Sequence, residues 1–125
     1  MRDLKSNLQT VTSLAPAART ASANGTGVDL QGFDAALISF VVGTITDGTH
    51  TPSIEESADN SVFSAVVAAD LIGSLAVLAS STNQSIGYRG GKRYVRAVST
   101  VSGATTGGVY AAVVTRGRPA QAPVA

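Results

Sequence analysis

The sequence predicts an all-β protein, an antiparallel β-sandwich with an extended N-terminal arm and a C-terminal tail. Short runs rich in Val, Thr, Ile and Phe recur at about ten-residue spacing between Gly-rich turns, as in sandwiches and barrels. Only 14% of the 125 residues are charged, 13 are Gly, and no helical segment separates the runs. We therefore predict an arm over 1–25, a sandwich domain over 26–116 and a tail over 117–125.

The first half of the chain contains the strand expected at the centre of the core. After the arm, with its Asn24-Gly25 turn, residues 33–42 are almost continuously apolar, which suits a strand covered on both faces. Asp47-Gly48 then provides turn chemistry, because Asp-Gly readily reaches the positive φ of a tight reversal. This pattern predicts a hairpin to a strand over 50–57, in which Pro52 indicates an edge position or a strand start.

The second half is ambiguous only over residues 62–79. Apolar residues there have helical spacing, but Gly73 and several β-branched residues oppose a long helix, so we predict short strands around a helical turn near 68–72. Three further strands are expected over 84–88, 93–101 and 109–116. The last two are predicted to form a hairpin, with the Ala and Val side chains of 93–101 pointing inward.

The chain contains no Cys, which excludes disulfide-stabilised folds and enzymes that use a thiol. Its charged N-terminus lacks the apolar stretch of a secretory signal, and no apolar run approaches the roughly 20 residues of a membrane span. We therefore expect a protein that is soluble where it is made and has no membrane partner.

The charges are segregated along the sequence although the formal net charge is only +1. All eight acidic residues precede position 71, and residues 89–125 contain only basic ones. In one interpretation acidic and basic strands lie next to each other, so that their charges cancel. In the other, the basic residues form a face that attracts an acidic partner. The candidate partner-binding residues are Arg89, Lys92, Arg93, Arg116 and Arg118.

No constellation of residues indicates catalysis, a metal or a cofactor. His50 is the only histidine and lies among turn threonines, so we expect it to be solvated. Glu55 and Glu56 are adjacent and should point to opposite faces of a strand, which prevents them from acting as a carboxylate pair. The acidic turn residues lack the alternating pattern of a calcium loop. We predict a protein that is not an enzyme.

The basic segment fails the tests for phosphate and nucleic-acid binding. Gly90-Gly91-Lys92 is followed by Arg93 where a phosphate-binding loop needs Ser or Thr, and Ile86 occupies the place of its first glycine. Basic residues near Tyr88 do resemble single-strand binders, but the chain has few aromatics and little net charge. Nucleic acid is therefore not the expected partner.

Several segments, in their order and spacing, resemble small proteins encoded among the head genes of tailed bacteriophages. The matching segments are SLAPA at 13–17, NGTGVDL at 24–30, GTITDGTHTP at 43–52, EESADNS at 55–61 and GYRGGKRYVR at 87–96. The resemblance covers about residues 10 to 116 and assigns no binding residues. It implies a capsid decoration, or cement, protein with a β-sandwich body, jelly-roll-like in its connectivity, made in the bacterial host cytoplasm and bound to the capsid exterior.

On this interpretation the partner is the major capsid protein, and a homotrimer is compatible with the symmetry of a capsid. The terminal segments could reach neighbouring capsid subunits, and many copies would bind with avidity. Two alternatives remain open at this stage: a low-copy neck or tail component, and a host-directed module that binds sugar or protein. The few aromatic residues argue against the second alternative.

Overall fold

The chain folds into two antiparallel β-sheets that pack face to face. The computed structural model describes residues 4–119. Within them, the strands in chain order are β1 (Gln9–Arg19), β2 (Ala23–Asn24), β3 (Val28–Asp29), β4 (Phe33–Ile45), β5 (Thr49–Ser57), β6 (Ser64–Ala65), β7 (Leu71–Ile72), β8 (Gln84–Tyr88), β9 (Tyr94–Ser102) and β10 (Gly108–Pro119). The first sheet has the order β1-β10-β4-β8-β7. In the second sheet β2 and β3 both pair with β9, which is followed by β5 and β6. The predicted β-sandwich is confirmed, and jelly-roll connectivity stays a prediction.

The core lies between the sheets and is made by alternate residues of the long strands. In β4 the even-numbered residues 36–42 are buried, as are residues 110, 112 and 114 of β10. From the second sheet, β9 contributes Val95 and Ala97, both fully buried, which confirms the predicted inward face of this strand. Because side chains alternate across a strand, each long strand sends every second residue into this interior.

Both predicted hairpins are wrong, although their turns are where the sequence placed them. β4 pairs with β10 and β8, whereas β5 pairs with β9 and β6, so the Asp47-Gly48 turn leads from one sheet to the other. The 103–107 turn likewise connects β9 in the second sheet to β10 in the first. Gly48 has the expected positive φ of 87°. A reversing turn fixes the direction of the next strand, but packing of the apolar faces decides which sheet it joins.

The N-terminal segment is part of the sandwich, which corrects the expectation of an arm over 1–25. β1 pairs with β10 from Gln9 to Arg19, with register shifts on either side of Leu14. At this bulge the buried Ser13 hydroxyl accepts a hydrogen bond from the Ala97 amide (2.9 Å) and donates one to the Thr26 carbonyl (2.8 Å). The edge strand of the first sheet is thereby tied to the second.

The predicted tail also begins inside a strand, because β10 continues to Pro119 and pairs there with Phe33. The rest of the predicted tail, residues 120–125, lies outside the described residues. The predicted short strands of 62–79 are present as β6 and β7 around a 3-10 turn over Ala68–Asp70. This segment covers one open side of the core with Val66 and Leu78, both buried. No helix within residues 4–119 is long and apolar enough to cross a membrane.

Candidate binding surface

All five predicted partner-binding residues lie at the same end of the sandwich, which we call the basic end. Ala36, near the start of β4, pairs with Tyr88 at the end of β8 on one side and with Arg116 of β10 on the other. The loop that follows β8 and the last residues of β10 therefore emerge at the same edge. The basic end consists of Arg89, Lys92, Arg93, Arg116 and Arg118.

Tyr88 anchors the loop between β8 and β9. Its buried hydroxyl donates a hydrogen bond to Glu56 Oε1 (2.7 Å) and accepts one from the Lys92 amide (3.2 Å). Burial is the main cause, and the hydrogen bond to Glu56 the second, of a pKa of Tyr88 above its ordinary value. A Cβ on Gly90 would lie only 2.5 Å from this hydroxyl, so the loop depends on glycine to pass over the ring.

Arg93 is held by Asp29 in a two-pronged ion pair. The guanidinium donates through Nε (2.9 Å) and Nη2 (2.8 Å) to the two carboxylate oxygens of Asp29. This hydrogen bonding, together with the Gln31 amide and the nearby positive charges, outweighs desolvation and lowers the pKa of Asp29 to about 2. The pair joins the start of β9 to the end of β3. The Arg93 charge is thus paired within the chain, although both side chains of the pair remain partly exposed to solvent.

Arg116 is also engaged in the fold. Its guanidinium donates to the Asp29 carbonyl (2.8 Å) and to the Gln9 side chain, and lies over the Phe33 ring at 4.6 Å. These contacts tie β10 to β1, β3 and β4 and make Asp29 a shared partner of two arginines. The sequence reasoning missed the roles of Asp29 and Phe33, because no local pattern marks a residue whose partner lies more than 60 positions away.

The other three basic residues leave their charges at the surface. Arg89 is exposed, donates from Nε to the Ala69 carbonyl (3.2 Å), and its amide bonds to the Asp70 carbonyl. Lys92 and Arg118 are exposed as well, and Arg118 adopts a positive φ of 51°. Within residues 4–119 none of these three forms an ion pair with a carboxylate. The basic end therefore presents three exposed positive charges.

The charge segregation in the sequence is partly cancelled in the fold. Besides Asp29 and Arg93, Glu55 pairs with Arg96 at 2.5 Å, and the Arg96 guanidinium lies 4.1 Å from the centre of the Phe63 ring. Glu56 points to the other face of β5, where it bonds Tyr88, as the alternation of side chains predicted. Of the six basic residues after position 88, Arg93 and Arg96 are thus paired with carboxylates that precede position 57.

A cleft of about 420 Å³ opens beside Lys92. One wall is the connection from β3 into β4, over residues 30–36, and the other is the loop after β8. The Phe33 and Tyr88 rings contribute apolar surface, while Asp34, Lys92 and Arg93 contribute charge. The lining of the cleft thus combines aromatic, acidic and basic residues.

At the opposite end, His50 is fully buried, so the prediction of a solvated histidine is wrong. Its Nδ1 lies 3.0 Å from the Tyr110 hydroxyl and its Nε2 lies 3.0 Å from the Asp47 carbonyl oxygen. His50 alternates with Pro52 and Ile54 on the inner face of β5. That alternation was the signal in the sequence that indicated burial. The ring joins the two sheets as a satisfied polar group.

Asp47 closes the same end of the sandwich as a turn residue. Its carboxylate accepts hydrogen bonds from the successive amides of residues 105–107, the shortest at 2.6 Å from Gly107. These bonds, led by the one from Gly107, lower the pKa of Asp47. Across the described part of the chain, no three His, Asp or Glu side chains are grouped so that they could hold a metal ion.

Comparison with solved structures identifies proteins of similar fold. The crystal structure of the SPBc2 prophage-derived protein YomS superposes with a TM-score of 0.57 at 14% identity, over 88% of this chain and 93% of that one. A structure of infectious bursal disease virus, Gx strain, gives a TM-score of 0.46 at 9% identity, over 87% of this chain and 31% of the viral chain. No protein-family model matches the sequence, and no curated protein matches it. The comparison establishes that the sandwich fold is shared with YomS.

Proposed function

We propose that the chain is a structural protein of a phage virion that binds the outer surface of the capsid as a decoration, or cement, protein and stabilises the head. One observation carries the proposal: basic residues chosen from the sequence as partner-binding lie together at one end of the sandwich. The motifs quoted above, which resemble phage head proteins, support it. A fold shared with a prophage-derived protein is compatible with it.

The partner we propose is the major capsid protein, bound through carboxylates on its outer surface. Arg89, Lys92 and Arg118 are exposed and would make the direct ionic contacts. Arg93 and Arg116 are already held by Asp29, so we assign them to positioning the loop and the strand end. Contacts between exposed charges mainly accelerate association and are screened by salt. Attachment should therefore weaken as ionic strength rises.

The cleft beside Lys92 gives the same surface a second kind of contact. Its volume of about 420 Å³ is within the range of ligand pockets, roughly 300–1,000 Å³. We propose that it receives a short extended segment of the capsid protein with an acidic side chain near Lys92 and an apolar one against Phe33. Attachment as a homotrimer around a local threefold axis would multiply such weak contacts.

The first test is the copy number of this protein in separated heads and tails of the parent phage, measured by mass spectrometry relative to the major capsid protein. A ratio near one in the head fraction is the expected result. A few copies per particle would refute decoration and favour a neck or tail component. Absence from the virion would contradict both and favour a host-directed binding module.

The second test measures attachment of the purified protein to undecorated heads at low and high salt. Lys92→Glu is expected to weaken attachment at low salt by roughly tenfold. The matched control is the double variant Thr100→Glu, Ser102→Glu, which changes the net charge equally at exposed positions near the other end of β9. Attachment that is insensitive to salt, or equally weakened by the control, would overturn the role of the basic end.

A further inference from the structure

The outward face of the first sheet is largely apolar, and within residues 4–119 several of its side chains are exposed, although Leu8 lies against Gly117 at one end. In β4 the inward residues are buried, whereas the outward-facing Leu37 and Val41 are 42% and 48% exposed. Val109 on the adjacent strand β10 is 46% exposed, and Ile72 on β7, which β8 separates from β4, is 59% exposed. Single exposed apolar residues are ordinary, but here they lie on three strands of one sheet.

The register of the sheet shows that the side chains between these residues are small and uncharged. On β10, Val41 has Ala111 opposite it and Leu37 has Thr115. On β8, Ser39 is paired with Ser85, their hydroxyl oxygens 3.1 Å apart. The positions facing outward in the strands of this sheet, within residues 4–119, carry no charged side chain. We call this surface the outer face.

The amino-acid pattern of β4 indicates that another protein surface covers the outer face when the protein functions. Residues 33–42 are nearly continuously apolar, a pattern typical of strands buried on both sides rather than of strands with one face in water. The second sheet covers only one side. An antiparallel sheet that faces water normally alternates apolar and polar residues, and β4 does not.

We propose that the outer face binds the outer face of a second copy of this chain, so that two sandwiches associate sheet against sheet. Over the outer face β1, β10 and β4 each extend about 30 Å, whereas β8 and β7 are short and extend about 17 Å and about 7 Å. With about 4.8 Å between strands the outer face covers roughly 550 Å², about two-thirds of the about 800 Å² that each partner contributes to a standard interface.

The absence of charge favours a second copy as the occupant. In a two-fold symmetric interface each patch meets itself, so a charged patch would face like charges. The uncharged outer face avoids this repulsion, and small Ala, Ser, Thr and Val side chains allow two sheets to approach to about 10 Å. A negatively charged partner would bind the basic end and not the outer face. This self-association goes beyond the proposed function and does not depend on it.

The test is the molecular mass of the purified full chain, measured by sedimentation over a wide concentration range. We expect a dimer, or a hexamer in which two of the proposed trimers pair through this face, and Val41→Glu should weaken that pairing by at least tenfold. A trimer that associates no further would contradict the proposal. Val62→Glu is the matched control, since Val62 is 76% exposed outside the sandwich sheets. A monomer at every concentration, or association that Val41→Glu leaves unchanged, would overturn the proposal.

A cross-linking experiment keeps the proposal testable if Val41→Glu impairs folding. Because the chain contains no Cys, Ser39→Cys places a single thiol near the middle of the outer face. A short bismaleimide should then join two copies efficiently, whereas Val62→Cys should give little product. Equal yields from the two positions, or none from Ser39→Cys, would contradict face-to-face pairing. Neither experiment involves a capsid, so its outcome is separate from that of the attachment tests.

Discussion

The buried contact between Tyr110 and His50 should contribute measurably to stability. Tyr110 is 2% exposed, and its hydroxyl lies 3.0 Å from His50 Nδ1, deep between the sheets. Tyr110→Phe preserves the ring but leaves the His50 nitrogen buried without a partner, which costs about 1–3 kcal/mol. The unfolding entropy of a chain of this length is roughly 0.26 kcal/mol/K, so the expected decrease in Tm is about 4–12 °C.

Urea unfolding followed by circular dichroism measures this free energy directly. Tyr94→Phe is the matched control, because Tyr94 is only partly buried and its hydroxyl has no hydrogen-bond partner within residues 4–119. The control should lower stability by no more than about 0.5 kcal/mol. If both variants unfold at the same urea concentration as the unaltered protein, the buried hydrogen bond does not stabilise the fold and the reasoning fails.

Two further predictions concern the turns at the two ends of the sandwich. The pKa of Asp47 is lowered from the ordinary value of 3.8 by amide hydrogen bonds, so its contribution to stability is present above that pH and is lost as pH falls through the folded-state pKa. Asp47→Asn should therefore decrease the urea midpoint at neutral pH and flatten its decline in acid, and identical pH profiles would contradict this. Gly90→Ala should destabilise by about 1–3 kcal/mol, since its Cβ would lie 2.5 Å from the Tyr88 hydroxyl. Gly91→Ala, with no atom within 4 Å of the added carbon, should be nearly neutral, and equal effects of the two in thermal unfolding would refute the packing argument.

Local sequence predicted five of the ten strands of the described residues, β4, β5, β8, β9 and β10, to within three residues. The apolar run at 33–42 became β4, and 84–88 became β8 with the predicted bounds. The turn at Asp47-Gly48 was placed correctly, because the chemistry of positive φ is local. The predicted pairings of β4 with β5 and of β9 with β10 were wrong, because the residue pattern of a strand does not indicate which sheet it will join.

The candidate site was predictable only as a set of charges. The sequence identified Arg89 and Lys92 as basic residues of one loop, and their exposure agrees with that interpretation. It could not separate them from Arg93, which is paired with the Asp29 carboxylate, or from Arg116, which is hydrogen-bonded to the Asp29 backbone carbonyl. Distinguishing an exposed arginine from a paired one requires the positions of partners far away in the chain.

The sequence by itself determined the all-β class, the positions of five of the ten described strands and the inward face of β9, because these follow from backbone geometry and neighbouring side chains. Only the tertiary structure decided that β1 belongs to the first sheet, that His50 is buried and that the basic residues lie at one end. The physical reason is that long-range pairing depends on apolar surfaces from distant segments being buried together. Which surfaces are buried together depends on all the strands at once, so it cannot be predicted from the sequence of any single strand.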